Sequence, residues 1–424
     1  MMDPMRWITM LVGLSGCYAP SIPMGVTCDP LDARCPAGQT CRPFAGGYAC
    51  TSGDGVDAAS SPDAADDANE TDGSLIDAPM SDAPSMFCYG TGLIQNLCLA
   101  QAPAGNLTIS TSVTIDTNMV GVDNCTQIMA QPGGPSLCVV ARQSITVVNG
   151  GKVVATGANP LVVITTGATT IAGEVDVSSH RGGTIGPGAR ATCAGAINGA
   201  SAPAAPSGGG GGGGGGFVGA GANGGLGRGN IAGGTGGTAP TPTVVIGGCP
   251  GGTGGAGAGG GGAGAGGRGG GALYVIAGSI MISGTVHASG AGGGGGSGGA
   301  DSGGGGGGGG AGGMIGFDAP SITVTGVIHA NGGGGGGGNG DDINNNGQGG
   351  SDPTATTSAP GGSGGTGGGG NGGRGFAQGS TPDVGNNASE DYCGGGGGGG
   401  GAGVIRVFQT APGSLGGMIS PSPT

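Results

Sequence analysis

ALYVIAGSIMISGTVHASG, residues 272–290, joins an apolar strand to a second strand in which Ile280, Ile282, Val286 and Ala288 alternate with Met281, Ser283, Thr285 and His287. Apolar residues at every second position are the pattern of a strand with one buried face. The pattern recurs in residues 314–332, MIGFDAPSITVTGVIHANG, and in residues 161–179, LVVITTGATTIAGEVDVSS. Aligned on Gly173, Gly284 and Gly326, the last two copies stand 42 residues apart, and VIRVF at 404–408 reads as a partial copy. Upstream, Leu107, Ile109, Val113, Ile115, Ile145, Val147 and residues 152–155 extend the alternation. A unit this short cannot bury its own apolar face and must stack on its neighbours. The expected fold is therefore all-β, a parallel β-helix or solenoid-like repeat, with Ile322, Val324, Ile328 and Ala330 inward like their counterparts. A two-sheet sandwich is the alternative. Helix signals are almost absent, and the unit is too short for an immunoglobulin-like domain.

The copies are separated by glycine. The chain has 120 glycines in 424 residues, with runs at 208–216, 303–310, 332–338 and 394–401. A strict G-X-Y period is missing, which excludes a collagen triple helix. Two readings remain: flexible loops, or a packed array of polyglycine II-like strands joined by lateral backbone hydrogen bonds. Ordering is costly, because each fixed glycine loses roughly 0.5–1 kcal/mol more than alanine would. Against that, the runs recur after equivalent strands, so stacking brings their entry points together.

Before the repeats, residues 7–14 (WITMLVGL) form an apolar stretch of signal-peptide length, too short to span a bilayer. It runs into Leu14-Ser15-Gly16-Cys17, which resembles the lipobox of bacterial lipoproteins. That resemblance implies a signal peptide over 1–16, lipidation of Cys17 and anchoring in a membrane through the lipid. With Tyr18 following, it also implies export to the outer membrane or the cell surface. Residues 17–50 then contain Cys28, Cys35, Cys41 and Cys50, spaced like a miniature EGF-like module that needs disulfides in place of a core. Zinc is the less apt reading, since no Cys-x-x-Cys pair and no histidine lies nearby. Residues 51–86 carry eight Asp, one Glu and no Lys or Arg, the composition of an acidic disordered tether.

Residues 87–424 form the main, glycine-rich β domain. Cys88, Cys98, Cys125 and Cys138 are an even set for an oxidising compartment. Cys193 is expected to pair with Cys249, because each stands outside a glycine run, which leaves Cys393 over. Nine of the thirteen net negative charges belong to the tether. The main domain has no basic face, so no nucleic acid is expected as a partner.

Sites of chemistry are sparse. Histidine occurs only at 180, 287 and 329, and His287 and His329 share a repeat position with Asp176, an outward ladder that can hold a metal, the competing and commoner reading being a solvated strand face. Residues 342–348, DINNNGQ, match the first half of a calcium loop, giving Asp342, Asn344, Asn346, Gln348 and Asp352 as candidate ligands. Position twelve is Pro353 where a calcium loop has glutamate, and the competing reading is a polar loop tip. No catalytic residue and no required cofactor is assigned, calcium being the single candidate. The six aromatics after residue 139 are scattered: Phe217, Tyr274, Phe317, Phe376, Tyr392 and Phe408.

FCYGTGL at 87–93, DVSSHRGG at 176–183, GGCPGG at 247–252 and the glycine-flanked copies resemble a family of uncharacterised glycine-rich bacterial surface lipoproteins. The resemblance implies location and fold, not activity. The glycine runs also resemble polyglycine II regions of bacteriophage tail adhesins, where the array presents binding loops. The expected function is that of a non-enzymatic cell-surface lipoprotein, a scaffold for adhesion, for binding a surface glycan or protein, or for envelope structure. The alternative is a carbohydrate-active β-helix enzyme, which requires acids converging in one cleft.

Overall fold

The computed structural model describes residues 39–44, 47–52, 86–193, 195–238, 241–299, 302–355 and 357–424. The chain divides into two compact units, residues 1–80 and 81–424. In the first unit, β1 (Gln39–Phe44) and β2 (Gly47–Ser52) pair antiparallel, with Cys41 and Cys50 at directly opposed positions. Cys17, Cys28, Cys35 and the tether from 53 to 85 lie outside the described residues.

The second unit begins with the antiparallel hairpin β3 (Phe87–Thr91) and β4 (Gln95–Leu99), followed by three six-stranded sheets. The first sheet holds β6 (Ser112–Asp116), β10 (Lys152–Thr156), β13 (Glu174–Asp176), β16 (Thr285–His287), β21 (Val327–His329) and β24 (Met418–Ser420). The second takes β5 (Asn106–Ile109), β9 (Ser144–Val147), β12 (Ala168–Ile171), β15 (Ser279–Ile282), β20 (Ile322–Val324) and β23 (Ser414–Leu415). The third takes β7 (Gln127–Met129), β8 (Leu137–Arg142), β11 (Leu161–Thr165), β14 (Ala272–Ile276), β19 (Met314–Asp318) and β22 (Val404–Phe408). Each pass of the chain gives one strand to the third, the second and then the first sheet. Pairing is parallel throughout except between β7 and β8, which makes the third sheet mixed. A further two-stranded ribbon, β17 (Gly298–Gly299) with β18 (Ser302–Gly303), lies among the glycines.

This arrangement corrects the expected solenoid. The described residues form separate parallel and mixed sheets and no closed coil. Between β13 and β14, β16 and β19, and β21 and β22, the chain leaves the sheets altogether. The sandwich alternative fails too, because three sheets contribute to the core. Parallel sheets covered on both faces are the habit of α/β proteins, where helices do the covering. Here the described residues contain no helix, so none is long and apolar enough to cross a membrane.

Two apolar clusters do that covering. Inside the three sheets lie Ile280, Ile282, Val286, Ala288, Ile322, Val324, Ile328 and Ala330, together with Leu273, Val275, Ile315 and Phe317. The other side of the third sheet buries Ala272, Tyr274, Ile276 and Met314 against Leu97, Leu99, Phe217 and Val245. The hairpin β3–β4 is pinned there by polar contacts: the Asp318 carboxylate accepts the Thr91 and Gly92 N–H groups, and the Tyr274 hydroxyl accepts that of Leu93. Disulfides join Cys88 to Cys98, Cys125 to Cys138 and Cys193 to Cys249, while Cys393 is a buried free thiol.

The glycine tracts form a lattice held mainly by backbone hydrogen bonds. The N–H groups of Gly209, Gly212 and Gly215 donate to the carbonyls of Gly303, Gly306 and Gly309, so every third residue meets the same neighbour. In the same tract Gly210 and Gly213 donate to Ala200 and Ile197, and Gly211 and Gly214 to Gly225 and Ala222. Carbonyls of this tract accept from Gly395 and Gly398, from Gly234 and Gly237, and from Gly252 and Gly255. Run 208–216 thus has six neighbouring segments, and runs 303–310, 332–338 and 394–401 are bonded on the same plan. An added Cβ at Gly211, Gly308 or Gly397 would overlap the carbonyl oxygen of Gly396, Gly213 or Gly307 respectively. Glycine is required by close approach. Farther out the tracts carry an exposed residue at each third position, as at Asn223 and Leu226, Ala265 and Arg268, and Asn371 and Arg374.

Candidate functional site

At the edge where the first sheet hands the chain to the lattice, the repeat brings chemistry together. Asp176, His287, His329 and Ser420 hold one register position across β13, β16, β21 and β24. One strand earlier, Lys152 and Val154 of β10 stand beside Glu174 and Asp176. All three histidines and the sole lysine of the chain therefore meet in one place, although charged residues are only 8% of the sequence. The three histidines line a cleft of about 320 Å³ with Glu174, Ser178, Ser179, Thr285, Ser289, Asp352 and Pro353, and Lys152 reaches Glu174 from beside it.

Local sequence builds a ladder along this edge. Ser289 N–H donates to the Ser178 hydroxyl oxygen at 2.8 Å, and Asn331 N–H donates to that of Ser289 at 3.1 Å. Each hydroxyl also holds the imidazole of the next strand: Ser178 Oγ lies 3.1 Å from His287 Nδ1, and Ser289 Oγ 2.9 Å from His329 Nδ1. The two rings stack with centroids 5.0 Å apart and planes 19° from parallel. Farther along, the Ser420 hydroxyl donates to Asn331 Oδ1.

Charged partners differ along the ladder. His287 Nε2 is 2.8 Å from Glu174 Oε1, and His287 Nδ1 is 3.5 Å from Asp176 Oδ1. Lys152 Nζ lies 2.9 Å from Glu174 and 3.5 Å from Asp176. His180 bridges two carboxylates, Nε2 to Asp176 at 3.1 Å and Nδ1 to Asp352 at 3.5 Å. Asp352 reaches this point from the lattice and also accepts the N–H groups of Gly292 and Arg181.

Protonation follows from these contacts. The hydrogen bonds to Asp176 and then Asp352 raise His180 to about 10, so it is an imidazolium at neutral pH. Burial opposes ionisation of Asp176, but His180, His287 and the Ser178 N–H outweigh it and hold the carboxyl well below its usual range. Glu174 and Asp352 are lowered in the same way, burial being overcome by Lys152 and His287 in one case and by His180 and two backbone N–H groups in the other. Desolvation alone would lower Lys152, yet Glu174 and Asp176 turn the shift upward. Burial, aided by His287, drops His329 to about 3, leaving a neutral ring.

Ser178, His287 and Glu174 lie in a line like that of a nucleophile, a base and an orienting acid. The same hydroxyl–imidazole contact is repeated by Ser289 and His329, where no acid hydrogen bond is made among the described residues, and Ser178 is buried. The hydroxyl therefore positions the ring and is not an exposed nucleophile. What the cluster can do is hold a cation or a proton between Glu174, Asp176 and His287, whose ligand atoms all lie within 4.8 Å of one another.

Of the residues read from sequence, Asp176, His287 and His329 do share a ladder, and His180 joins it from the following turn. Lys152, Glu174 and Ser178 were missed. Their signal was the alignment itself, since Glu174 stands two residues before Asp176 on the same side of the strand, and Lys152 is its lateral neighbour. The calcium candidates are divided by the structure. Asp352 turns to His180, Asn346 Oδ1 accepts the Gly298 N–H, Gln348 is bonded into the lattice through its backbone, and Asp342 and Asn344 are exposed. No protein family, no curated protein and no solved structure matched this chain in the comparisons made with known proteins.

Proposed function

We propose that this is an exported, lipid-anchored surface protein without enzymatic activity, in which the glycine lattice is a rigid platform for binding or for envelope structure. The observation that supports this reading is the six-neighbour packing of the pure glycine runs. Such a block has no side chains inside with which to catalyse, and ordering it costs more than ordering any other composition. Rigidity and regular display of the outward third residues are what it offers in return. Anchoring belongs to Cys17, and a surface glycan or protein is the partner class the exposed polar fringe suits. In a producing cell, the wild-type chain is expected to fractionate with membranes and to incorporate labelled fatty acid, and Cys17→Ala to do neither. Equal membrane association of both would overturn the anchor.

One observation favours a second reading, an enzyme acting on extracellular polysaccharide: two acids, Glu174 and Asp352, line one cleft, with Asp176 buried behind them. Release of new reducing ends from polysaccharide, lost in Glu174→Gln, is its test.

A further inference from the structure

We infer that the cleft is a binding site for one divalent transition cation, held by Glu174 and His287 with Asp176 beside them, and that Lys152 is a built-in competitor for it. Three independent features lead there. First, His287 Nε2 and Glu174 Oε1 are 2.8 Å apart, close to the roughly 3 Å between adjacent ligands of a cation bound at about 2.1 Å. Second, the imidazole is already oriented: Ser178 meets its Nδ1, Asp176 lies beside the same nitrogen, and His329 stacks on the ring. Outer partners of this kind fix the tautomer and the direction of a ligating histidine. Third, the position already attracts positive charge, because the Lys152 ammonium sits against both carboxylates.

The donor set selects the cation. Imidazole with carboxylates suits zinc, manganese or cobalt, whereas calcium and magnesium prefer oxygen alone. A bound cation would sit between His287 Nε2 and Glu174, with the neutral ring in the tautomer that keeps its proton on Nδ1, toward Ser178 Oγ or Asp176. Lys152 is about one-third exposed, so its flexible stem can swing the ammonium into water.

This inference stands apart from the platform reading and from the enzymatic one, since a cation can be bound under either. Its test is titration of the full chain with Zn²⁺, and with Co²⁺ followed by visible absorption, in wild type, Lys152→Met, Glu174→Gln, His287→Asn and Ser178→Ala. One equivalent is expected to bind. Lys152→Met should bind about five- to tenfold tighter, as removal of a partly exposed competing charge allows. Ser178→Ala should bind about tenfold weaker as a positioning residue, and the two ligand variants should lose the Co²⁺ spectrum. A misfolded protein cannot mimic the gain in Lys152→Met. Unchanged or weaker affinity in that variant, undiminished binding in both ligand variants, or no binding in either wild type or Lys152→Met would each overturn the site.

Discussion

The three-sheet body and the glycine lattice belong to one compact unit, yet they are stabilised by opposite rules. In the body, strands are held by side chains packed between sheets, and the loss of atoms is what damages them. In the lattice, strands touch through bare backbone, and the gain of atoms does the damage. The difference teaches where tolerance lies: the body accepts any well-shaped apolar residue, while the centre of the lattice accepts no side chain at all.

Two substitutions to the same residue, alanine, expose the contrast. Gly308→Ala puts a methyl group onto the Gly213 carbonyl in a region with no side chain able to move aside. Its expected cost is about 4 kcal/mol or more, at the diagnostic end of single substitutions. Ile282→Ala, in a fully buried position of β15, is expected to cost about 3 kcal/mol by leaving a cavity. Chemical denaturation measures both. A Gly308→Ala protein as stable as wild type would remove the claim that close approach fixes the glycines.

The cleft lies at the seam between these regions, and Asp352 is the residue that crosses it. From the lattice it accepts hydrogen bonds from Gly292, Arg181 and His180. Asp352→Asn keeps the shape and removes the charge. The expected loss is about 1 kcal/mol, kept small by partial exposure of the pair, and hydrogen exchange should quicken at Gly292 and Arg181 before it does in β14. Uniform quickening throughout would mean that body and lattice open as one and have no seam.

How much of this could be read from the chain differs between the regions in the same way. Alternation at residues 280–288 marks which side chains are buried, because a strand's period is local. The distribution of those strands over three sheets is not local. For the later strands it depends on where residues 177–271 travel between β13 and β14, and that path is set by non-local contacts, the Cys193–Cys249 disulfide, the burial of Phe217 and Val245 and the glycine packing. The lattice does leave a trace, in triplets such as Asn223-Gly-Gly-Leu226 and Asn371-Gly-Gly-Arg374 around uninterrupted runs. The runs are central and the triplets peripheral, but that meaning needs the neighbours in view. At the site, Asp176, His287 and His329 were legible through their shared register. Asp352 was drawn instead toward the 342–348 loop by its composition, since its true partner, His180, is remote in sequence and is brought near only by the lattice.

The smallest expected effect comes from Cys393, which opens the run 394–401 and is fully buried. Burial, and then the charge of Asp341, pushes its thiol up to about 11. The folded state therefore holds the thiol proton more tightly than the unfolded chain, whose thiol titrates near about 8.5. Any stability this contributes is complete below about pH 8.5 and is lost as pH rises from there through about 11. Alkylation by iodoacetamide reads the same property. At pH 8 the native thiol should react far more slowly than in denaturant, with the native rate climbing toward pH 11. Rapid native alkylation at pH 8 would mean that the start of this run opens freely, so that the lattice, unlike the body, is firm only at its centre.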